Sequence, residues 1–76
     1  MAEITGQWLI DHGWVLRYDV YVLYRHPRMG WKPDGTMYIG YHTYHEKVFT
    51  IDKITELINE YNGKDYYPPH RKEESN

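Results

Sequence analysis

The side chains with the greatest chemical potential in this sequence are five histidines and a group of cations next to a tryptophan. His42 and His45 are three residues apart, and in an extended strand such residues point to opposite faces. They could therefore hold one metal ion together only where the strand ends between them. No cysteine and no His-Glu-x-x-His spacing accompanies them. We expect no metal site in this chain.

The residue types available also argue against catalysis. Ser75 is the single serine, it lies in a charged C-terminal segment, and no cysteine can serve as a thiolate, which excludes serine and cysteine hydrolase chemistry. The carboxylates are scattered, and no two of them are spaced to share a buried site that would raise a pKa. The six glycines do not form a phosphate-binding loop. We therefore expect a protein that is not an enzyme and needs no cofactor.

The composition instead favours binding. The chain contains 9 Tyr, 3 Trp and 1 Phe, nearly as many aromatic residues as its 14 Ile, Leu and Val together. Tyr, Trp and Arg contribute most to interface energetics, although Tyr is also a common strand former. Trp31 is surrounded by cations, and either it contacts a partner or it folds back onto the core. The residues predicted to contact a partner are Arg17, Tyr21, Arg25, Arg28, Trp31, Lys32, Tyr38, His42 and Tyr44.

The expected partner is a protein, and single-stranded nucleic acid is the alternative. Cations interleaved with aromatic rings are the surface that single-strand readers use. However, nucleic-acid-binding domains typically have a pI above about 9, whereas this chain has a net charge of −2 and a pI of 6.2. Asp19 is also predicted to lie among the candidate contact residues. The charge balance therefore favours a protein partner.

Three predicted strands position these residues. Residues 14–25 alternate with a period of two, which predicts one long strand. Residues 4–10 predict a shorter first strand, with a helical turn as the alternative, and Gly13 would turn the chain between the two. Residues 26–35 contain two prolines and two glycines and are predicted to be a loop that ends in a Pro33-Asp34-Gly35 turn. Period-two alternation returns from Thr36 to about His45.

The most clearly patterned segment is a C-terminal helix. Thr50 is suited to cap its first turn, Ile54, Leu57 and Ile58 fall on one stripe, and Gly63 ends it. Residues 1–63 are thus predicted to form one α+β domain, followed by an extended or disordered tail at 64–76. Its architecture is a three-stranded antiparallel sheet, with room for a short fourth strand, in the order βββα. The helix is expected to cover the strand face that carries Leu16, Tyr18, Val20, Val22, Ile39 and Tyr41.

One helix can cover only one face of a sheet, so the other face is expected to expose Arg17, Tyr21, Leu23, Arg25, Tyr38, His42 and Tyr44. Such a patch predicts a partner, and a homodimer that stacks two copies of this face is one candidate. Apart from a run through tyrosines at residues 20–24, the longest apolar runs are three residues, too short to span a membrane or form a signal peptide. We expect a cytoplasmic inhibitor or adaptor, of the small kind that phages and mobile elements carry.

Overall fold

The computed structural model describes residues 2–64, which form one five-stranded sheet and two helices. The strands are antiparallel and follow one another across the sheet in chain order. The α+β class, the antiparallel sheet and the C-terminal helix are confirmed, but the sheet has five strands instead of three, and a second helix precedes it. Most of the predicted tail, residues 65–76, lies outside the described residues. The elements are α1 (Gly6–Asp11), β1 (Val15–Arg17), β2 (Val20–Leu23), β3 (Met29–Trp31), β4 (Met37–Ile39), β5 (His42–Thr43) and α2 (Ile51–Tyr61).

The predicted long strand at residues 14–25 is in fact a hairpin. β1 and β2 pair antiparallel with Arg17 opposite Val20, so the chain reverses at Tyr18 and Asp19. Residues opposite each other in an antiparallel pair share a face, so Arg17 and Val20 lie on the same face of the sheet. In one continuous strand these two residues would lie on opposite faces. Val20 and Val22 consequently lie on the face opposite to the one predicted for them.

The predicted loop at residues 26–35 contains the central strand. Met29, Gly30 and Trp31 form β3, and all three are buried. Gly30 and the flanking prolines weaken the strand pattern in the sequence, because glycine and proline are depleted in strands. The turn predicted after it is confirmed: the Gly35 amide donates to the Lys32 carbonyl at 2.8 Å, and Gly35 has a φ of 95°.

The N-terminal segment is helical, so the strand predicted there is wrong and the helical alternative is right. Thr5 caps α1 by accepting a hydrogen bond from the Trp8 amide at 3.1 Å. Leu9 is fully buried on the inner side of this helix. The chain then leaves α1 through Gly13, whose φ is 94°.

The C-terminal helix is confirmed. Thr50 accepts a hydrogen bond from the Lys53 amide at 3.2 Å, and Asp52 lies in the first turn, where a negative charge is favourable. The start of this helix is tied to the N-terminal segment, since the Ile4 amide donates to the Phe49 carbonyl at 2.8 Å and the Ile51 amide to the Ala2 carbonyl at 2.9 Å. We call this pair of hydrogen bonds the N-terminal clamp.

Both helices cover the same face of the sheet. Leu9 of α1 and Ile54 and Leu57 of α2 share one buried cluster with side chains of β3 and β4. Of the six sheet residues predicted to receive the helix, Ile39 alone is buried; Tyr18 and Tyr41 are 100% and 92% exposed. The cause is again the β1–β2 reversal together with the missed strand β3. The sheet residues that complete the cluster are Met29, Trp31, Met37 and Ile39.

Candidate binding groove on the open sheet face

The face of the sheet opposite the two helices carries a groove of about 650 Å³, which we call the open groove. Volumes of this order are typical of ligand sites. Its residues come from all parts of the sheet except β5, and they are mostly tyrosines, cations and small apolar residues. They are Arg17, Tyr18, Asp19, Val20, Val22, Tyr24, Arg28, Met29, Gly30, Lys32, Tyr38, Gly40 and Tyr41.

Gly30 forms the middle of the groove. In the sheet register it lies between Val22 of β2 and Tyr38 of β4. A Cβ atom at this position would lie 3.2 Å from Val20 Cγ1, closer than side chains normally pack, and 3.4 Å from Tyr38 Cδ2. The side chains of Val20 and Tyr38 therefore cover the backbone at this buried glycine, and a larger residue would have to displace them.

Two arginine–tyrosine pairs flank the groove. The Arg17 guanidinium carbon lies 5.7 Å from the Tyr24 ring centroid, and that of Arg28 lies 5.9 Å from the Tyr41 ring centroid. These distances are within the range of cation–π attraction. A guanidinium that rests on a ring keeps its N–H edge available for a carboxylate or phosphate.

Positive charge is concentrated at this groove. Arg17, Arg28 and Lys32 line it together with one carboxylate, that of Asp19. The remainder of residues 2–64 has the opposite balance, with seven carboxylates and four Lys or Arg. Within the described part of the chain no carboxylate forms an ion pair with any of the three groove cations. The groove thus offers unpaired positive charge on a protein that is negative overall.

Four of the nine predicted contact residues line the groove: Arg17, Arg28, Lys32 and Tyr38. The structure brings these four residues together on the open sheet face, although two of them, Arg28 and Lys32, were predicted to lie in a loop.

Three other predicted contact residues face the helices. Trp31 is 4% exposed and donates its indole N–H to the Val48 carbonyl at 2.7 Å, so it belongs to the core. Tyr21 packs beside it, with ring centroids 6.1 Å apart. His42 lies opposite Ile39 in the register and therefore shares the face of that core residue. Their places follow from the exchange of faces at the β1–β2 turn and from the strand β3.

Arg25 and Tyr44 also lie away from the groove. The Arg25 guanidinium donates a hydrogen bond to the Asn62 side chain, directly after α2. Tyr44 packs against the core cluster, and the Lys53 amino group lies 5.7 Å from its ring centroid. A hydrogen bond with the Tyr44 side chain is the main cause that raises the pKa of Lys53. Both residues thus hold α2 in place.

Sequence reasoning missed several groove residues, above all Tyr18, Tyr24, Gly30 and Tyr41. A signal for the hairpin was present, because Asp19 is a turn-forming residue in the middle of the alternating run. Once the chain is reversed there, the register places Val20, Val22 and Gly30 on one face. For Tyr41 the sequence holds no such signal, since the strand β4 ends two residues before it.

The groove carries side chains that can bind an anionic ligand. It supplies cationic donors, ring faces and an apolar middle.

Across residues 2–64, no three His, Cys, Asp or Glu side chains come together as a metal site would require. No helix in that range is long and apolar enough to cross a membrane. Comparisons with protein-family models, with curated proteins and with solved structures found no match.

Proposed function

We propose that this protein is a small, non-enzymatic protein-binding module of the inhibitor or adaptor type, which acts by occupying a partner through the open groove. The observation that supports this most is the segregation of charge and rings: three cations and four tyrosines line one sheet face of a protein whose net charge is −2. Tyrosine and arginine are the residues that contribute most at interfaces.

The charge of the groove indicates the charge of the partner. An acidic segment of a partner protein would meet Arg17, Arg28 and Lys32, while the carboxylates elsewhere on the molecule would repel it from wrong orientations. Complementary charge of this kind steers association and fixes register more than it adds affinity. The apolar middle of the groove and the tyrosine rings supply the contact area. The partner is therefore expected to present an acidic surface segment.

A protein partner fits this face better than nucleic acid does. Three groove cations neutralise about three phosphates, so log affinity for a single strand would fall with log salt at a slope of only about −2. A longer strand would also extend beyond the groove and meet the net negative charge of the remaining surface. The tyrosine rings could still stack on bases, and nucleic acid is therefore an explicit outcome of the test below.

The test compares two double variants with the same change in charge. The immobilised protein is used to isolate a partner from nuclease-treated extract, and the dissociation constant is then measured with both proteins pure. Arg28→Glu with Lys32→Glu reverses the groove charge and should weaken binding at least 100-fold. Lys47→Glu with Lys64→Glu makes the same change outside the groove and should alter binding less than threefold. Equal effects of the two pairs would rule out the groove as the binding surface.

A second measurement separates the two classes of partner. Fluorescent single-stranded oligonucleotides are titrated with the protein at physiological salt. We expect affinities no better than the ~10⁻⁴ to 10⁻⁶ M of non-specific binding. A nanomolar, sequence-selective complex that the Arg28→Glu, Lys32→Glu variant abolishes would replace the protein partner with nucleic acid.

A further inference from the structure

The strand β1 lies at one edge of the sheet and pairs only with β2. All three of its residues are exposed, Val15 and Leu16 to 41% and 50%. An edge strand offers unpaired backbone N–H and C=O groups to an incoming strand. The pairing of β1 with β2 decides which of its backbone groups point outwards.

The turn between β1 and β2 sets the direction of these groups. Two residues connect Arg17 to its partner Val20, so the connection is a two-residue hairpin. In such a hairpin the residues that flank the turn form a hydrogen-bonded pair, and along the strands these pairs alternate with pairs that exchange no hydrogen bond. Leu16 and Tyr21 form the next pair. The N–H and C=O of Leu16 therefore point away from β2.

The helix α1 covers the beginning of this edge, and Leu16 lies beyond it. Two residues before Leu16, the Trp14 amide donates to the Leu9 carbonyl of α1 at 3.0 Å. No turn, loop or cap hydrogen bond within residues 2–64 uses the backbone N–H or C=O of Leu16. Leu16 thus offers one donor and one acceptor together, which are the two groups that a residue exchanges with its partner in an antiparallel hydrogen-bonded pair.

The side chains of β1 indicate what an added strand would carry. Leu16 shares the helix side of the sheet with Tyr21, whereas Val15 and Arg17 lie on the side of the open groove. An aliphatic side chain opposite Leu16 would remove the exposed part of that leucine from water. A carboxylate opposite Arg17 would form a cross-strand pair with a guanidinium that forms no ion pair within residues 2–64.

We propose that an extended segment of the partner protein pairs antiparallel with β1 as a sixth strand, with an aliphatic residue opposite Leu16 and a carboxylate opposite Arg17. This inference rests on the proposed function and specifies how the acidic segment of the partner is held. The backbone of Leu16 contributes two hydrogen bonds, and the carboxylate lies at the margin of the open groove. In strand addition the backbone hydrogen bonds give affinity and the alternate side chains give specificity.

A second copy of this chain does not fit the same edge. Two β1 strands paired antiparallel about Leu16 would place Tyr18 of each copy opposite Trp14 of the other. The Trp14 amide is bonded to α1, so α1 of each copy would stand where the turn of the other must lie. Arg17 would also lie opposite Val15 instead of a carboxylate. A foreign acidic segment brings no such helix and supplies the charge that Arg17 lacks.

A synthetic peptide and its N-methylated copy test the backbone pairing. The probe is acetyl-Thr-Glu-Val-Val-Thr-amide, which places its glutamate opposite Arg17 when its first valine lies opposite Leu16. The control carries an N-methyl group on that valine, so it loses the donor to the Leu16 carbonyl and keeps every side chain and charge. Each peptide is titrated into the ¹⁵N-labelled protein and followed by amide chemical shifts. We expect the control to bind at least fivefold more weakly. Equal affinities, or no binding at the solubility limit of the probe, would overturn strand addition.

Amide hydrogen exchange tests the direction of the backbone groups. In the unbound protein the Val15 and Arg17 amides point to β2, so they should exchange more slowly than the Leu16 amide. A saturating concentration of the probe should slow exchange at Leu16 at least fivefold, because its N–H then donates to the added strand. A Leu16 amide that is as protected as its neighbours before the probe is added, or unchanged afterwards, would contradict the proposal.

Variants of Leu16 separate the backbone contact from the side-chain contact. Leu16→Pro removes an N–H that the β1–β2 pairing does not use, and proline is accepted in edge strands at such positions. It should weaken the probe at least fivefold, whereas Leu16→Ala keeps the N–H and should weaken it less. A greater loss in Leu16→Ala would contradict backbone pairing. Should Leu16→Pro fail to fold, the N-methylated peptide on the native protein decides the same question.

The contact with Arg17 is tested by exchanging both partners. Arg17→Gln should weaken the probe at least twofold and should have no effect on a peptide with glutamine in place of glutamate. Lys47→Gln, which removes a cation away from the open groove, is the control and should leave both affinities unchanged. An equal loss for the two peptides in Arg17→Gln would contradict the charge pair.

The outcomes separate this inference from the proposed function. Binding of the isolated partner that depends on Arg28 and Lys32 but leaves the Leu16 amide unprotected would reject strand addition and leave the binding module standing. Partner binding that neither the groove variants nor Leu16→Pro alters would reject both.

Discussion

Trp31 illustrates how position in the sheet decides the role of a residue. Its type and its basic neighbours are those of an interface residue, and the sequence left open whether it contacts a partner or the core. The structure buries it to 4% exposure and pairs its indole N–H with the Val48 carbonyl. A buried indole N–H without a partner is unfavourable, so this hydrogen bond stabilises Trp31 in its core position.

We expect Trp31→Phe to lower the free energy of unfolding by about 2 to 4 kcal/mol, because it leaves the Val48 carbonyl without its donor and creates a cavity. Urea denaturation followed by circular dichroism measures this loss. Tyr18→Phe, at a fully exposed position, is the control and should change the value by less than about 0.5 kcal/mol. A similar result for both variants would contradict the core role of Trp31.

The pKa of Asp34 is set by hydrogen bonds within its own turn. Hydrogen bonds from the Thr36 hydroxyl, and next from the Thr36 amide at 3.0 Å, hold the pKa of the Asp34 carboxyl below its usual range. A carboxyl with a lowered pKa stabilises the fold at pH values above its unfolded pKa. That contribution is lost as the pH falls through the folded pKa.

Thr36→Val should therefore raise the pKa of Asp34 towards its usual range and reduce the acid-dependent part of the stability. Thr36→Ser keeps the hydroxyl and should leave the pKa where it is. Carboxyl ¹³C chemical shifts recorded as a function of pH give the pKa in each variant. A valine variant that titrates like the native protein would show that the hydroxyl has no part in the shift.

Tyr18 combines an unfavourable backbone conformation with full exposure. Its φ is 59°, in the left-handed region that costs a non-glycine residue about 1 to 2 kcal/mol, and its side chain is 100% exposed at the margin of the groove. Asparagine and aspartate adopt this conformation more readily than tyrosine does. A bulky ring held here at a cost in stability is consistent with a contact role.

Tyr18→Asn should accordingly raise the free energy of unfolding by about 0.5 to 1 kcal/mol and weaken partner binding. Urea denaturation measures the free energy of unfolding, and titration with the isolated partner measures the binding affinity. Tyr61→Phe, on the helix side of the molecule, serves as the control for loss of a tyrosine. A variant that is more stable and binds as well as the native protein would remove Tyr18 from the contact surface.

At the level of elements, α2 was predictable and the strands were only partly so. Thr50, the apolar stripe and Gly63 are local signals that agree with one another, and together they identify the helix. The β1–β2 hairpin lacks the Asn-Gly or Asp-Gly turn that usually marks one, and its strands continue the same alternation through the reversal. The face on which a strand residue lies depends on the register of its strand. Missing one turn therefore assigns the residues that follow it to the wrong face.

The packing of α2 leads to a measurable expectation. Leu57 is 1% exposed in the core cluster, so Leu57→Ala should lower the free energy of unfolding by about 2 to 5 kcal/mol. Thr55→Ala lies on the exposed side of the same helix and should change it by less than about 0.5 kcal/mol. Chemical denaturation of both variants makes the comparison. A loss below about 1 kcal/mol for Leu57→Ala would mean that α2 is not packed on the sheet.

On the scale of the whole molecule, the distribution of charge decides which surfaces can meet. The sequence suggested a homodimer through a patch that combined Tyr21, Leu23, Tyr38 and Tyr44. The structure divides that patch, since Tyr21, Leu23 and Tyr44 pack against the core and Tyr38 alone lines the groove. Net charge and composition could not reveal this division, because they carry no information about which residues share a face.

We therefore expect a monomer of 9.3 kDa at 100 μM in low salt, because the groove cations of two copies repel each other when they are least screened. Sedimentation equilibrium gives the mass directly. The Arg28→Glu variant, which brings opposite charges into the same groove, is the comparison and should self-associate at least as readily. A native dimer that weakens on addition of salt would contradict this charge argument.

The N-terminal clamp has a consequence for the order in which the fold assembles. Every strand of the sheet pairs with its neighbour in the sequence, so the hairpins close short loops, which is entropically cheap and kinetically fast. The clamp instead joins residues 2–4 to residues 49–51, across almost the whole described chain. Closing so long a loop costs more conformational entropy than closing a hairpin. This cost is smaller once the sheet has formed and has brought the two segments close together. The five-stranded sheet can thus form first. The N-terminal clamp then forms and holds α1 and α2 against the sheet.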